Sequence, residues 1–144
     1  MIKVSALDFG WMDNIDPAKK VLIIAEGLLM YFTREEVRKL TGRLAEKFTG
    51  GSMLLEMMTP FLVRISGRHD AVNHTGAVFK WGIESGKVME SYHDNIVFIE
   101  EYNYFDFYKS RWRWLRLPAV LPVFKNRMNN RIVHLEFKRT RRTS

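Results

Sequence analysis

The chain has 144 residues, is 47% hydrophobic and 13% aromatic, contains no cysteine and carries a formal net charge of +7. This is enough for one domain with a real core, and it excludes a disordered chain, a disulfide framework and a thiolate metal site. No apolar run approaches the roughly 20 residues needed to span a bilayer, and Met1-Ile2-Lys3-Val4-Ser5 opens no long apolar signal region, so a cytoplasmic protein with no membrane partner is expected.

Residues 1–144 read as a single domain ending in a basic tail over 138–144. Lys3 to Leu7 is a short strand-like piece that ends in Asp8-Phe9-Gly10-Trp11. A polar connection follows, with Asp16-Pro17 as a turn or helix-start signal. Val21-Leu22-Ile23-Ile24-Ala25 is an unbroken apolar run. Such a run predicts a central strand of a parallel sheet, buried on both faces. It stops on Glu26 and Gly27. In open α/β sheets the ligand crevice lies beyond the carboxyl ends of the strands, so an acid there is a candidate crevice group.

Thr33-Arg34-Glu35-Glu36 predicts a capping box. The helix behind it carries Val37, Leu40, Leu44, Ala45 and Phe48 at helical spacing, with charges on the other face, and Gly50-Gly51 ends it. Ser52 to Met57 is the next strand. Strand, helix and strand with short connections make a parallel βαβ crossover. Pro60 to Ser66 predicts a helix, and short helices are expected near Gly76 to Trp81 and Ser85 to Tyr92. Asn95 to Asn103 reads as a strand. Phe105 to Leu117 is aromatic and basic, with some helical character, and Pro118 stops it. Asn130 to Phe137 is the last strand. No crossover helix joins these two late strands, which predicts an antiparallel pair at the sheet edge.

The segment Glu26-Gly27-Leu28-Leu29-Met30-Tyr31 resembles a signature of the leucine carboxyl methyltransferase family, which includes tetracenomycin-type polyketide O-methyltransferases. The resemblance implies an α/β, Rossmann-like class I methyltransferase sheet of order 3-2-1-4-5-7-6. This chain would hold part of it, strands four to seven, with the last strand antiparallel. It implies S-adenosylmethionine as cofactor and a small-molecule methyl acceptor, with a carboxyl or hydroxyl group as the methylated position. Asp8 matches the acid that meets the adenine amino group. Phe9 would pack near the adenine ring and offer its backbone N–H. Glu26 and Gly27 match the family pair at the end of the fourth strand, and Tyr31 is a candidate to line the substrate side. The family's acid and Gly-x-Gly loop after strand one, and its ribose-binding acid after strand two, do not occur in this sequence and are expected upstream of Met1. The chain is therefore read as the carboxy-terminal portion of a methyltransferase domain, with a second copy or a separate amino-terminal half as partner.

Methyl transfer from a sulfonium is an in-line displacement that needs positioning and exclusion of water rather than a metal or a covalent nucleophile. No metal site is expected: His69 and His74 lack a trustworthy ligand spacing, and His93 and His134 are isolated. Met57, Met58, Trp81 and Tyr104 read as core. Two other readings stay open. One is a non-catalytic remnant or subunit of a split methyltransferase. The other is a basic nucleic-acid module, suggested by Lys109, Arg111 and Arg113 among the aromatics of Tyr102 to Trp114. That segment lacks a binding motif, so a packed edge with snorkelling arginines is preferred and nucleic acid is not an expected partner.

Overall fold

The computed structural model describes residues 3–66, 78–103 and 130–139. A βαβ unit organises the first half. β1 (Leu22–Ala25) leads through a short 3₁₀ turn (Leu29–Tyr31) to α1 (Arg34–Lys47) and then β2 (Ser52–Met57). Side chains set where α1 begins. The Glu36 backbone N–H donates to Thr33 Oγ1 at 3.2 Å, and the Thr33 N–H donates to Glu36 Oε2 at 2.7 Å. The expected capping box thus satisfies donors that the first helical turn cannot satisfy itself. α1 buries Val37, Leu40, Leu44 and Ala45 and keeps its charges in water. β1 and β2 are parallel, with Leu22 opposite Ser52 and Ala25 opposite Leu55.

The rest of the sheet is antiparallel. β4 (Arg131–Phe137) lies between β2 and β3 (Ile96–Asn103) and runs against both, giving the order β1-β2-β4-β3. The late pair is antiparallel as expected, with β3 at the edge and β4 one place in. Val133, Leu135 and Phe137 of β4 join Met53, Leu55 and Met57 of β2 and the buried face of α1 in one core.

β3 carries a bulge. Its register on β4 shifts between Phe98 and Glu100, which leaves Ile99 as the extra residue. Simple alternation from Ile96 and Phe98 would put Glu100 on their face. The bulge puts Glu101 there instead. Glu101 then meets the 3₁₀ helix Gly86–Tyr92, accepting from Gly86 N at 2.7 Å and from Ser85 Oγ at 3.2 Å. Gly86 is required by close approach, because a Cβ there would lie 2.5 Å from Val133 Cγ1.

Several expectations change. Among the described residues β1 pairs on one side only, with β2, and Leu22 and Ile24 are 57% and 67% exposed, where a strand buried on both faces was expected. An unbroken apolar run reports what a strand could bury, not what lies beside it. Lys3 to Leu7 is not a strand. Ser5 captures the chain through its hydroxyl, which accepts from Leu7 N at 3.2 Å, and its carbonyl, which accepts from Asp8 N at 3.0 Å. Residues 78–81 form no helix, because the N–H groups of Lys80 and Trp81 both turn to the Met30 carbonyl, at 2.7 and 3.2 Å. Helices do form at Pro60–Ser66 and Gly86–Tyr92. Phe105 to Leu117, His69, His74, Tyr104 and the tail beyond Arg139 lie outside the described residues.

Candidate functional site

β1, β2 and β3 run in one direction, so their carboxyl ends share a rim with the first residues of β4. Met57 and Asn103 both lie opposite Arg131 there. The chain leaves β1 through Glu26 and Gly27. Gly27 adopts a left-handed φ of 59°, and nothing lies within 4 Å of where a Cβ would sit. The backbone is therefore open to an approaching group, in a conformation that favours glycine. Glu26 is exposed and has no hydrogen-bond or ion-pair partner among the described residues.

The turn is held from beneath by Glu56, near the end of β2. Its Oε2 accepts the Gly27 N–H at 2.9 Å, and its Oε1 accepts from Asn130 Nδ2 at 2.6 Å. One carboxylate thus ties the exit of β1 to the entry of β4. Sequence reasoning missed Glu56. The signal was a lone acid in Met53-Leu54-Leu55-Glu56-Met57-Met58, one place before the strand ends.

Residues 80–83 cross this rim. Besides the two bonds to Met30, Ile83 N donates to the Met58 carbonyl at 3.0 Å. Met57, Met58 and Trp81 are buried, and Trp81 Nε1 donates to the Tyr92 hydroxyl at 3.2 Å. Tyr31 ends its 3₁₀ turn with the ring 5.2 Å from that of Phe79, and it stays 38% exposed.

Asp8 caps the 3₁₀ helix Phe9–Asn14, its Oδ1 accepting from Gly10 N at 3.3 Å. Phe9 is half-buried, with the Lys39 ammonium 5.4 Å from its ring centroid. Asp13 pairs with Lys47. The 3₁₀ helix therefore runs alongside α1 in the same direction, with Phe9 level with Lys39 and Asp13 level with Lys47. α1 starts at the rim, so the Asp8 end points towards it. Among the described residues no hydrogen bond or ion pair joins Asp8 or Phe9 to Glu26 or Gly27.

The Thr33 backbone N–H holds the Glu36 carboxyl below its ordinary value, and the bond from Tyr102 to Glu100 raises the Tyr102 phenol. His93 Nε2 lies 3.3 Å from Glu46 Oε1, and His134 Nδ1 lies 3.7 Å from Glu100 Oε1. Among the described residues no group of three acids and histidines could hold a metal, and no helix is long and apolar enough to cross a membrane.

No family model matches the chain. It is 26% identical over 106 residues, 74% of its length, to the tetracenomycin polyketide synthesis O-methyltransferase TcmP of Streptomyces glaucescens, and the match covers 39% of that protein. The chain thus spans well under half the length of this relative. The mixed four-stranded sheet is compatible with part of a Rossmann-like fold, and the similarity supports a relation between this chain and O-methyltransferases.

Proposed function

We propose that the chain forms the carboxyl-terminal part of an S-adenosylmethionine-dependent O-methyltransferase whose acceptor is a carboxyl or hydroxyl of a polyketide-type small molecule. The strand order carries this reading. β1-β2-β4-β3, with β4 antiparallel to both neighbours, is the order that strands four, five, seven and six of such a sheet would show. The similarity to a methyltransferase points the same way.

Asp8, Phe9, Glu26 and Gly27 would meet the adenine side of the cofactor. Asp8 Oδ1 is engaged by Gly10 N, and Oδ2 has no hydrogen bond among the described residues, so it can accept from an exocyclic amine. Phe9 supplies an apolar ring at the same turn. Glu26 offers an unpartnered carboxylate, and Gly27 lets the ligand come close to the backbone. Glu56 keeps that turn in place. Bound cofactor would supply the methyl group. The chain's own part is to bind, orient and exclude water, with residues 78–83 and Tyr31 on the acceptor side. The glycine-rich loop that would cradle the rest of the cofactor has no counterpart in the 144 residues.

Calorimetry with S-adenosylhomocysteine tests the reading. The chain alone should bind weakly or not at all. The chain mixed with the amino-terminal portion of the Streptomyces relative should bind, and Glu26→Gln should weaken that binding about tenfold, as loss of a hydrogen bond to a charged group does. A mixture that fails to bind, or one indifferent to Glu26→Gln, sinks the proposal. A micromolar dissociation constant for the chain alone, about −8 kcal/mol, would overturn the assigned need for a second cofactor loop.

A further inference from the structure

The rim opposite the candidate site carries a different surface. There the amino ends of β1 and β2 meet the carboxyl end of β4. Backbone bonds pin this rim. Ser52 N donates to the Val21 carbonyl at 3.0 Å, Gly50 N to the Phe137 carbonyl at 2.8 Å, and Lys138 N to the Asn95 carbonyl at 2.8 Å. Asp16 fixes the approach to β1, its Oδ1 accepting from Ala18 N at 2.9 Å and its carbonyl from Lys19 N at 3.2 Å. Three stretches far apart in sequence thus bring Lys19 and Lys20, Lys47, and Arg139 to one cleft of about 590 Å³, which Thr49 and Gly50 also line.

Four cations line this cleft and no carboxylate does. One of them is accounted for: Lys47 pairs with Asp13 and sits in the last turn of α1, where the helix carbonyls favour a positive charge. The other three are not. Lys19, Lys20 and Arg139 have no ion-pair partner among the described residues. The helix end carries only about half a negative charge, too little to balance them. Arg139 is also held in place. Gly50 has a left-handed φ of 79°, and a Cβ there would lie 2.9 Å from Arg139 Nε, so the arginine packs where a side chain is missing. Its guanidinium is a planar fork that meets two oxygens of a phosphate at once, whereas the lysines act as point charges beside it. The adjoining hollow shares Lys20, Gly50 and Arg139 and adds Lys138 and one carboxylate, Glu136.

We propose that this cleft binds a small anion of the diphosphate class, with Arg139 as the bidentate contact and Lys19 and Lys20 as the charges around it. Three unpaired cations call for more than one negative charge on the ligand. They converge on one hollow, whereas an extended polyanion such as nucleic acid is met by cations strung along a face or a helix. The inference does not rest on the proposed enzymatic role. The cleft lies at the opposite end of β1 from Glu26 and Gly27, so the two sites do not compete.

Titrating the full chain with inorganic pyrophosphate, by calorimetry and by amide NMR shifts, tests this. One equivalent should bind. The shifts should gather at residues 19–20, 49–51 and 138–139 and leave 26–31 in place. Inorganic phosphate should bind about tenfold more weakly, having fewer charges and oxygens to offer. Adenosine diphosphate distinguishes the sources: tighter binding than pyrophosphate assigns a nucleotide, and equal or weaker binding assigns free diphosphate. Arg139→Gln and Lys20→Gln should each weaken pyrophosphate about tenfold, as loss of a contact to a charged group does. Both side chains are exposed, so the urea midpoints of these variants should not move, which separates lost binding from lost fold. The proposal is overturned by a chain that ignores millimolar pyrophosphate, by shifts centred on residues 26–31, or by an affinity indifferent to Arg139→Gln. A short DNA duplex that binds more tightly than pyrophosphate, and loses affinity in the same variants, overturns it in favour of a nucleic-acid surface.

Discussion

The two flanks of the sheet solve opposite problems. On the β3–β4 flank, polar groups are spent on one another. Glu101 accepts from Ser85, Gly86 and Arg131, and Arg131 also donates to the Glu84 carbonyl at 2.9 Å. The Arg131 side chain is 8% exposed, and among the described residues no buried side-chain nitrogen or oxygen lacks a partner. On the β1 flank no strand pairs with the outer side among the described residues, and two large aliphatic side chains stand exposed. The first flank is finished within the chain. The second is open among the described residues. The free energy of folding should therefore depend steeply on the first and hardly at all on the second.

The largest effect should come from the closed flank. Glu101→Ala removes the carboxylate that the Arg131 guanidinium faces at 2.7 Å. Breaking a largely desolvated pair from one side leaves a charge without its main counterpart, and a cost of roughly 3 kcal/mol is expected. Urea unfolding at neutral pH measures it. A cost below about 1 kcal/mol would rank the pair with ordinary surface bridges and would remove the claimed contrast between the flanks.

The difference between the flanks also marks what could be read from the chain beforehand. α1, its capping box, β2 and the two late strands were legible, because each rests on local spacing: Thr33 to Glu36, Val37 to Leu44, Ser52 to Met57. The parallel pairing of β1 with β2 was legible from the strand, helix and strand pattern, whereas the apolar run from Val21 to Ala25 alone suggested a second neighbour that the described residues do not supply. The bulge at Ile99 was hidden for a related reason, as it shows only in the register against β4. At the rim, Glu26 and Gly27 were placed correctly beyond a strand. Glu56 was missed because its partners, Gly27 and Asn130, lie 29 and 74 residues away in sequence. Asp8 caps the Phe9–Asn14 turn and Glu26 follows β1, and among the described residues no hydrogen bond or ion pair joins them.

A smaller effect is expected in the middle of the molecule, where α1 is held by its own first turn. Thr33→Ala should cost about 1 kcal/mol, the usual worth of a side-chain cap. The pH response separates the two halves of the box. The folded-state pKa of Glu36 lies below its ordinary 4.5, so its contribution is present above that value and is lost as pH falls through the lower folded value. The largest cause is the Thr33 backbone N–H, which Thr33→Ala retains. The alanine variant should therefore keep this acid-side loss of stability, and Glu36→Gln should abolish it. Urea midpoints taken from pH 7 downwards decide the matter. A Thr33→Ala chain that no longer responds to acid in that window would show that the hydroxyl, not the N–H, tunes the carboxylate.

The smallest effect should come from the open flank. Leu22→Thr and Ile24→Thr keep a β-branched or comparably shaped side chain where the strand needs one and replace apolar surface that already faces water. For the monomer each should change stability by less than about 0.5 kcal/mol, the ordinary range for surface positions away from special features. The measurement has to be made at low protein concentration. Any association through this edge would add stability by mass action, and a substitution that weakened it would look destabilising only because the protein is concentrated. The two contributions separate cleanly: a loss that grows with protein concentration belongs to association, and one that persists on dilution belongs to the fold. If Ile24→Thr costs more than about 1 kcal/mol at the lowest workable concentration, its side chain is buried within a single chain in solution, and β1 is not the open edge described above.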